Sequence, residues 1–153
     1  MGSSETTKSA EEYFLEGRSC AQSIFASFAD TLDIDETLAL KISAPFGGGV
    51  GRMRHICGAL SGALMVAGAK FASADAGKES KEAIYALTRE IAQKFKEQHG
   101  TLMCAEILGD EAQNAGATHV PQERNSAYYA ARPCLKVIKS AEKIIQDLLD
   151  EKK

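Results

Sequence analysis

Cysteine is the residue type with the clearest capacity for chemistry in this 153-residue chain, which has four of them: Cys20, Cys57, Cys104 and Cys134. Cysteine thiolates act as nucleophiles, exchange with disulfides and bind soft metals such as zinc and iron. No two of the four form a CxxC pair, so their spacing does not predict a zinc ribbon. Any shared cysteine site must therefore be assembled by the fold.

Each cysteine lies at or near the predicted start of a helix. The preceding signals are Gly17 before Cys20, a glycine loop before Cys57, Thr101 as a possible cap at Cys104, and Pro133 before Cys134. The N-terminus of a helix offers unpaired N–H groups and a partial positive charge. Both favour thiolate over thiol, so we expect the pKa of these cysteines to be lowered.

Basic residues also neighbour every cysteine in the sequence: Arg18 by Cys20, Arg54 and His55 by Cys57, His99 by Cys104, and Arg132 by Cys134. A single free cysteine is usually a small hydrophobic residue that fills a gap in the core. Four cysteines in similar settings favour reactive or metal-binding sulfur instead. His55 could join a mixed Cys/His metal site, whereas we expect His99 and His119 to be exposed or satisfied in the core.

A glycine-rich loop at residues 46–52 leads towards Cys57. It could hold a phosphate, with Arg52 and Arg54 as anion partners. It matches neither GxGxxG nor a P-loop, and no predicted strand precedes it. We therefore favour a flexible passage that brings backbone close to the Cys57 sulfur.

The elements that must position these residues are predicted to be helices. Apolar residues recur at steps of three and four over residues 78–99 and 134–152, which is typical of amphipathic helices. Weaker patterns predict helices over residues 5–17 and 20–32. Asp33 and Glu36 resemble a capping box that opens a short helix ended by Pro45.

Residues 56–69 carry no charge and are too few to cross a bilayer, which needs roughly 20 residues, so we predict a buried helix. Gly58 and Gly62 share one face of it and suggest close approach by another backbone. Residues 109–133 are the least regular segment and are typical of either a lid or a plain surface excursion. Tyr128 and Tyr129 could seat that segment on the core.

The fold class predicted from these patterns is all-α, with residues 1–153 forming a single-domain helical bundle. We expect about five to seven helices around a buried Gly/Ala-rich central helix, with residues 1–10 flexible. No alternating strand pattern, internal repeat or low-complexity linker occurs.

Composition excludes several function classes. A net charge of −3 argues against nucleic-acid binding, which needs a basic surface. No stretch is apolar enough to span a membrane, and residues 1–12 lack the apolar core of a signal peptide. We therefore expect a cytoplasmic protein whose cysteines are free thiols, with a homo-oligomer left open.

The arrangement of cysteines and glycines resembles the C_GCAxxG_C_C family. The matching residues are Phe14, Gly17, Cys20-Ala21-Gln22, Phe46 to Arg52, Cys57 to Leu64, Cys104 to Asp110, and Cys134. The resemblance extends from about Glu11 to Leu148 and implies a redox-active protein whose four characteristic cysteines are Cys20, Cys57, Cys104 and Cys134. Ser19 stands where members often have Asn, and residues 53–56 are more basic than the family pattern.

Three functions are consistent with this sequence. The first is redox chemistry by clustered cysteine thiolates, either thiol–disulfide exchange or electron transfer with an unidentified redox partner. The second is a zinc site or an iron–sulfur cluster ligated by Cys20, Cys57, Cys104 and Cys134, held on separate helices. The third is a non-catalytic, partner-binding helical module in which the cysteines only pack.

Overall fold

The structure is a computed structural model that describes residues 8–152, so most of the segment expected to be flexible (1–10) lies outside the described residues. The described chain is all-α, which confirms the predicted fold class. Its ten α-helices are α1 (Ala10–Leu15), α2 (Cys20–Ser27), α3 (Ala29–Leu32), α4 (Glu36–Ser43), α5 (Gly58–Phe71), α6 (Lys78–His99), α7 (Cys104–Leu108), α8 (Asp110–Ala115), α9 (Ser126–Ala131) and α10 (Cys134–Glu151). Five of these have eight or more residues, and a short 3-10 helix (Ala44–Phe46) follows α4.

Helix α5 is the central helix and packs against α2, α6 and α10. The prediction of a buried, glycine-rich helix is confirmed, although α5 begins at Gly58 and continues to Phe71. Gly62 explains how α2 comes so close, because a Cβ atom there would lie 2.8 Å from the Ile24 Cβ and 2.9 Å from the Ala21 carbonyl oxygen. Only a residue without a side chain allows the two backbones this contact.

Helices α6 and α10 pack against α5 and against each other through the predicted apolar stripes. Leu87, Ile91 and Phe95 are buried on α6, and Ile138 and Ile145 are buried on α10. Burial of such stripes is the main favourable free energy of a helical domain. These packed helices position the cysteines, because Cys57 and Cys134 lie at the starts of α5 and α10.

Three predicted helix boundaries differ from the structure. The helix expected over residues 20–32 is broken at Phe28 (φ −103°, ψ 7°), which separates α2 from α3. The helix that Pro45 follows is capped by Asp35, whose side chain accepts from the Leu38 N–H. Asp33, the predicted cap, instead ends α3 in the left-handed conformation. The first predicted helix is shorter than expected and has Ser9 as its N-cap.

The irregular segment 109–133 contains the short helices α8 and α9, with residues 116–125 between them outside any helix. As expected, Tyr129 packs this segment on the bundle. Its ring lies edge-on to the Phe14 ring, with 5.6 Å between the ring centroids. None of the described helices is both long enough and apolar enough to cross a membrane.

Candidate functional site

The four cysteines, which are all free thiols, line a single cavity of about 50 Å³, here called the cysteine cavity. Each sits at a helix start, as predicted. Cys20, Cys104 and Cys134 are the first residues of α2, α7 and α10, and Cys57 is the N-cap of α5. The fold therefore brings together all four sulfur-bearing residues from distant parts of the chain.

Contact between α2 and α5 places Cys20 beside the start of α5. A Cβ atom at Gly58 would lie 3.2 Å from the Cys20 Cβ and 3.1 Å from the Ala21 backbone nitrogen. Glycine directly after Cys57 thus leaves room for Cys20, which gives the CGAxxG spacing a physical reason.

A short backbone pairing brings Cys57 to Cys104. The Cys57 N–H donates to the Leu102 carbonyl at 2.8 Å, and the Cys104 N–H donates to the His55 carbonyl at 2.6 Å. Ile56 and Met103 form an isolated antiparallel β-bridge at the same place. Two residues of pairing are too few for an alternating pattern, so this bridge could not be predicted from the sequence.

The glycine loop packs against Cys104, and its Gly48 and Gly49 line the cysteine cavity together with Cys57. A Cβ atom at Gly49, where φ is +74°, would lie 2.7 Å from the Cys104 Cβ. Every residue from Gly48 to Arg52 has a positive φ, and Arg54 follows with φ 62°. Left-handed backbone at non-glycine residues costs about 1 kcal/mol each, and such strain is typical of functional segments.

Cys20 and Cys134 both line the cysteine cavity, and each changes the pKa of the other. The Cys20 thiol donates to the Cys134 sulfur, which lowers the pKa of Cys134 to about 7. Burial opposes this shift, and the positive charges of Arg132 and Arg124 support it. The same hydrogen bond, together with burial, raises the pKa of Cys20, because it is the donor that must keep its proton.

The expectation of a lowered pKa at all four cysteines is wrong for three of them. Burial raises the pKa of Cys57 to about 12, although the backbone N–H groups of Ala59 and Leu60 at the start of α5 act in the opposite direction. Burial likewise raises the pKa of Cys104, against the charge of Arg54. Removal from water outweighs the helix terminus, because desolvation penalises the charged sulfur.

The basic partners of the cysteines also differ in part from those predicted. Arg54, expected near Cys57, is buried and directs Nη1 to the Cys104 Sγ at 3.8 Å. His99, expected near Cys104, instead contacts the Ser140 hydroxyl at 3.0 Å and the Phe95 ring. Arg132 acts on Cys134, as its position in the sequence indicates.

Arg124 is a site residue that sequence analysis missed. Its guanidinium donates to the Phe14 and Arg18 carbonyls at 3.1 and 3.0 Å and lies 4.7 Å from the centre of the Tyr128 ring. It lines the cysteine cavity although it is far from any cysteine in the chain. The neighbouring Tyr128-Tyr129 pair was the available signal, because arginine commonly stacks on aromatic rings.

The arrangement of donor atoms decides whether the four cysteines can bind a metal ion. Within residues 8–152, no group of three or more His, Cys, Asp or Glu side chains is placed to hold a metal ion. Thiolate ligands must lose their protons, which the raised pKa of three of these cysteines opposes. The zinc and iron–sulfur alternatives stay predictions.

The fold and the site define an all-α protein with four free cysteines around one small cavity. The family model described as "Putative redox-active protein (C_GCAxxG_C_C)" matches residues 18–148. The chain therefore belongs to the C_GCAxxG_C_C family, and the resemblance noted from its cysteine and glycine motifs is confirmed. No curated protein and no solved structure matches the chain.

Proposed function

We propose that this protein is a thiol–disulfide oxidoreductase in which Cys134 is the attacking thiolate and Cys20 the resolving thiol. The single observation that carries the proposal is that Cys20 and Cys134 line one small cavity together with Arg132, where these neighbours lower the pKa of Cys134 to about 7. A thiol with a pKa near ambient pH is the best attacking group, since it is both ionised and nucleophilic.

The reaction consumes one small-molecule disulfide as oxidant. The Cys134 thiolate attacks one sulfur of that disulfide, forms a mixed disulfide and expels the other sulfur as a thiolate. Cys20 then loses its proton and attacks the Cys134 sulfur, which expels the second small thiolate and leaves a Cys20–Cys134 disulfide. The protein loses two electrons and two protons, and the small disulfide becomes two thiols.

The other two cysteines support the pair in different ways. Cys57 and Cys104 are buried, whereas Cys20 and Cys134 are only half-buried. Their raised pKa values keep Cys57 and Cys104 as thiols at neutral pH. We assign them a packing role around the reactive pair, because an uncharged thiol reacts slowly.

The test is to mix the reduced protein with bis(2-hydroxyethyl) disulfide at pH 8, alkylate the remaining thiols and map the peptides. The expected product has one disulfide, joining Cys20 and Cys134. In Cys20→Ser the mixed disulfide on Cys134 should persist, because the resolving thiol is gone. Cys57→Ser is the matched control and should still form the Cys20–Cys134 disulfide.

Two results would overturn this proposal. Four unmodified thiols after exposure to excess disulfide would favour the non-catalytic, packing-only role. Stoichiometric zinc, or iron with acid-labile sulfide, in protein purified without oxygen would favour the metal-binding alternative. Metal analysis therefore belongs with the thiol count in the same preparation.

A further inference from the structure

A larger cleft of about 570 Å³ adjoins the cysteine cavity. Four arginines (Arg52, Arg54, Arg124 and Arg132) line it together with His119, and we call it the arginine cleft. No aspartate or glutamate is among the described residues that line it. Arg54, Arg124 and Arg132 also line the cysteine cavity, so the two spaces share a wall.

Among the described residues, Arg132 is the only one of these four arginines that forms an ion pair with a carboxylate. Arg52 donates to the Thr118 carbonyl at 2.6 Å and to the Ala115 carbonyl at 3.2 Å. Arg54 donates to the Gly116 carbonyl from both Nε and Nη2. Backbone carbonyls fix the position of a guanidinium but do not cancel its charge.

Arg132 provides a second, independent observation. Its side chain is 5 % exposed, and although Nη2 donates to the Gln122 side chain, Nε has no hydrogen-bond partner among the described residues. Glu111 forms an ion pair with this group: its carboxylate oxygen lies 3.8 Å from Nε, and its side chain, at 19 % exposure, is itself mostly buried. A buried guanidinium nitrogen without an acceptor is costly, so it favours an anionic ligand at this position.

The arginines also repel one another. Burial lowers the pKa of Arg52, and the charges of Arg54 and Arg132 lower it further. A bound anion would offset this repulsion, and arginine pairs with carboxylates through two parallel hydrogen bonds. A volume of this size suits a small molecule rather than a protein chain.

We propose that the arginine cleft binds the carboxylate of a small anionic disulfide and thereby presents its sulfur–sulfur bond to Cys134. This inference rests on the proposed thiol–disulfide exchange and names the substrate class for that reaction. The shared wall connects the two functions, because a ligand held by Arg132 and Arg124 lies next to the cysteine cavity. The electron balance is the one given above, with the carboxylate-bearing disulfide as the oxidant.

The test compares three disulfides that differ in charge: 3,3′-dithiodipropionate (anionic), bis(2-hydroxyethyl) disulfide (neutral) and cystamine (cationic). Each rate of Cys20–Cys134 disulfide formation is divided by the rate at which the same compound oxidises free 2-mercaptoethanol. We expect the anionic disulfide to exceed the neutral one by about tenfold at low salt and the cationic one to be slowest. Added salt should reduce the preference.

The variant pair is Arg52→Gln and Arg89→Gln. Arg52 lies in the cleft and is not among the groups that set the pKa of Cys134, whereas Arg89 is exposed on α6. The anionic-to-neutral rate ratio should fall about threefold in Arg52→Gln, the effect of one charge some 6 Å away in a water-like dielectric. It should stay unchanged in Arg89→Gln.

The outcomes separate the two proposals. If the neutral disulfide oxidises the Cys20–Cys134 pair and the anionic one is no faster, the substrate inference is wrong while the oxidoreductase function stands. If no disulfide oxidises the pair, the oxidoreductase function is wrong. An Arg89→Gln ratio that falls as far as that of Arg52→Gln would also overturn the inference, since overall charge would then explain the preference.

Discussion

At the scale of single residues, the site contains one thiol that ionises readily and three that do not. The difference arises from direct partners: Cys134 accepts a hydrogen bond and faces Arg132, whereas the strongest effect on Cys57 and Cys104 is loss of water. Position at a helix start is shared by all four and so does not explain why the pKa of Cys134 alone is lowered. The direct partners of each thiol, together with its burial, decide whether that thiol is protonated.

Cys134 should be alkylated by iodoacetamide with a rate that rises through a midpoint near pH 7, where its thiol loses the proton. Cys20→Ala should move this midpoint upward, because the thiol that donates to the Cys134 sulfur is removed. Cys20→Ser should largely restore it, since a hydroxyl can donate in the same way. An unchanged midpoint in Cys20→Ala would show that the hydrogen bond does not set the pKa.

The raised pKa of Cys57 should make the free energy of unfolding depend on pH in the alkaline range. Its pKa is raised in the folded protein to about 12, so its favourable effect on folding is complete below its ordinary pKa near 9 and is lost as pH rises towards 12. The difference in unfolding free energy between the reduced wild type and Cys57→Ser should therefore shift against the wild type by up to about 1.4 kcal/mol per pH unit in that window. Denaturant titrations at pH 8 and pH 10.5 measure it, and a constant difference would contradict it.

At the scale of elements, the contact between α2 and α5 sets the distance between two of the cysteine-bearing helix starts. The sequence indicated that Gly58 and Gly62 admit another backbone, but it did not indicate which. The partner is α2, and the contact occurs at Ala21 and Ile24, which follow Cys20 by one and four residues. The site is thus positioned by packing of small residues as much as by the cysteines themselves.

Gly62→Ala and Gly68→Ala test this contact within one helix. The new methyl group at residue 62 would press on Ile24 and the Ala21 carbonyl, so we expect a loss of about 1–3 kcal/mol in unfolding free energy. At residue 68 nothing lies within 4 Å of the added atom, and the gain in helix propensity should stabilise the protein by up to about 1 kcal/mol. Urea denaturation measures both, and equal effects would show that the α2–α5 approach is not tight.

At the scale of the whole molecule, the helices were predictable and their assembly around the cavity was not. Local sequence patterns predicted α5, α6 and α10, because an amphipathic or fully apolar pattern is a property of residues close together in the chain. The Cys20–Cys134 pair, the bridge between Ile56 and Met103, and the hydrogen bond from Arg124 to the Phe14 carbonyl join residues that are distant in the sequence. Such pairs depend on tertiary packing, so no local pattern signals them.

The segment 115–120 is held by hydrogen bonds from Arg52, the last residue of the glycine loop, and from Arg54 just after it. Arg52 donates to carbonyls of Ala115, Thr118 and Val120, and Arg54 donates to that of Gly116. Arg54→Gln should leave the Gly116 carbonyl without its partner and destabilise the attachment by about 1–3 kcal/mol. Amide hydrogen exchange over residues 116–120 should then accelerate, whereas Arg89→Gln should leave it unchanged; protection equal to the wild type would contradict this role.

The cysteines become neighbours only when α2, α5, α7 and α10 have all docked. Four thiols can be joined into two disulfides in three ways, and an unfolded chain has no preference for the native neighbours. Oxygen reaching a nascent or denatured chain would therefore trap non-native cross-links that prevent the helices from docking. The yield of natively folded protein after denaturation should accordingly depend on a reductant being present until these four helices have docked.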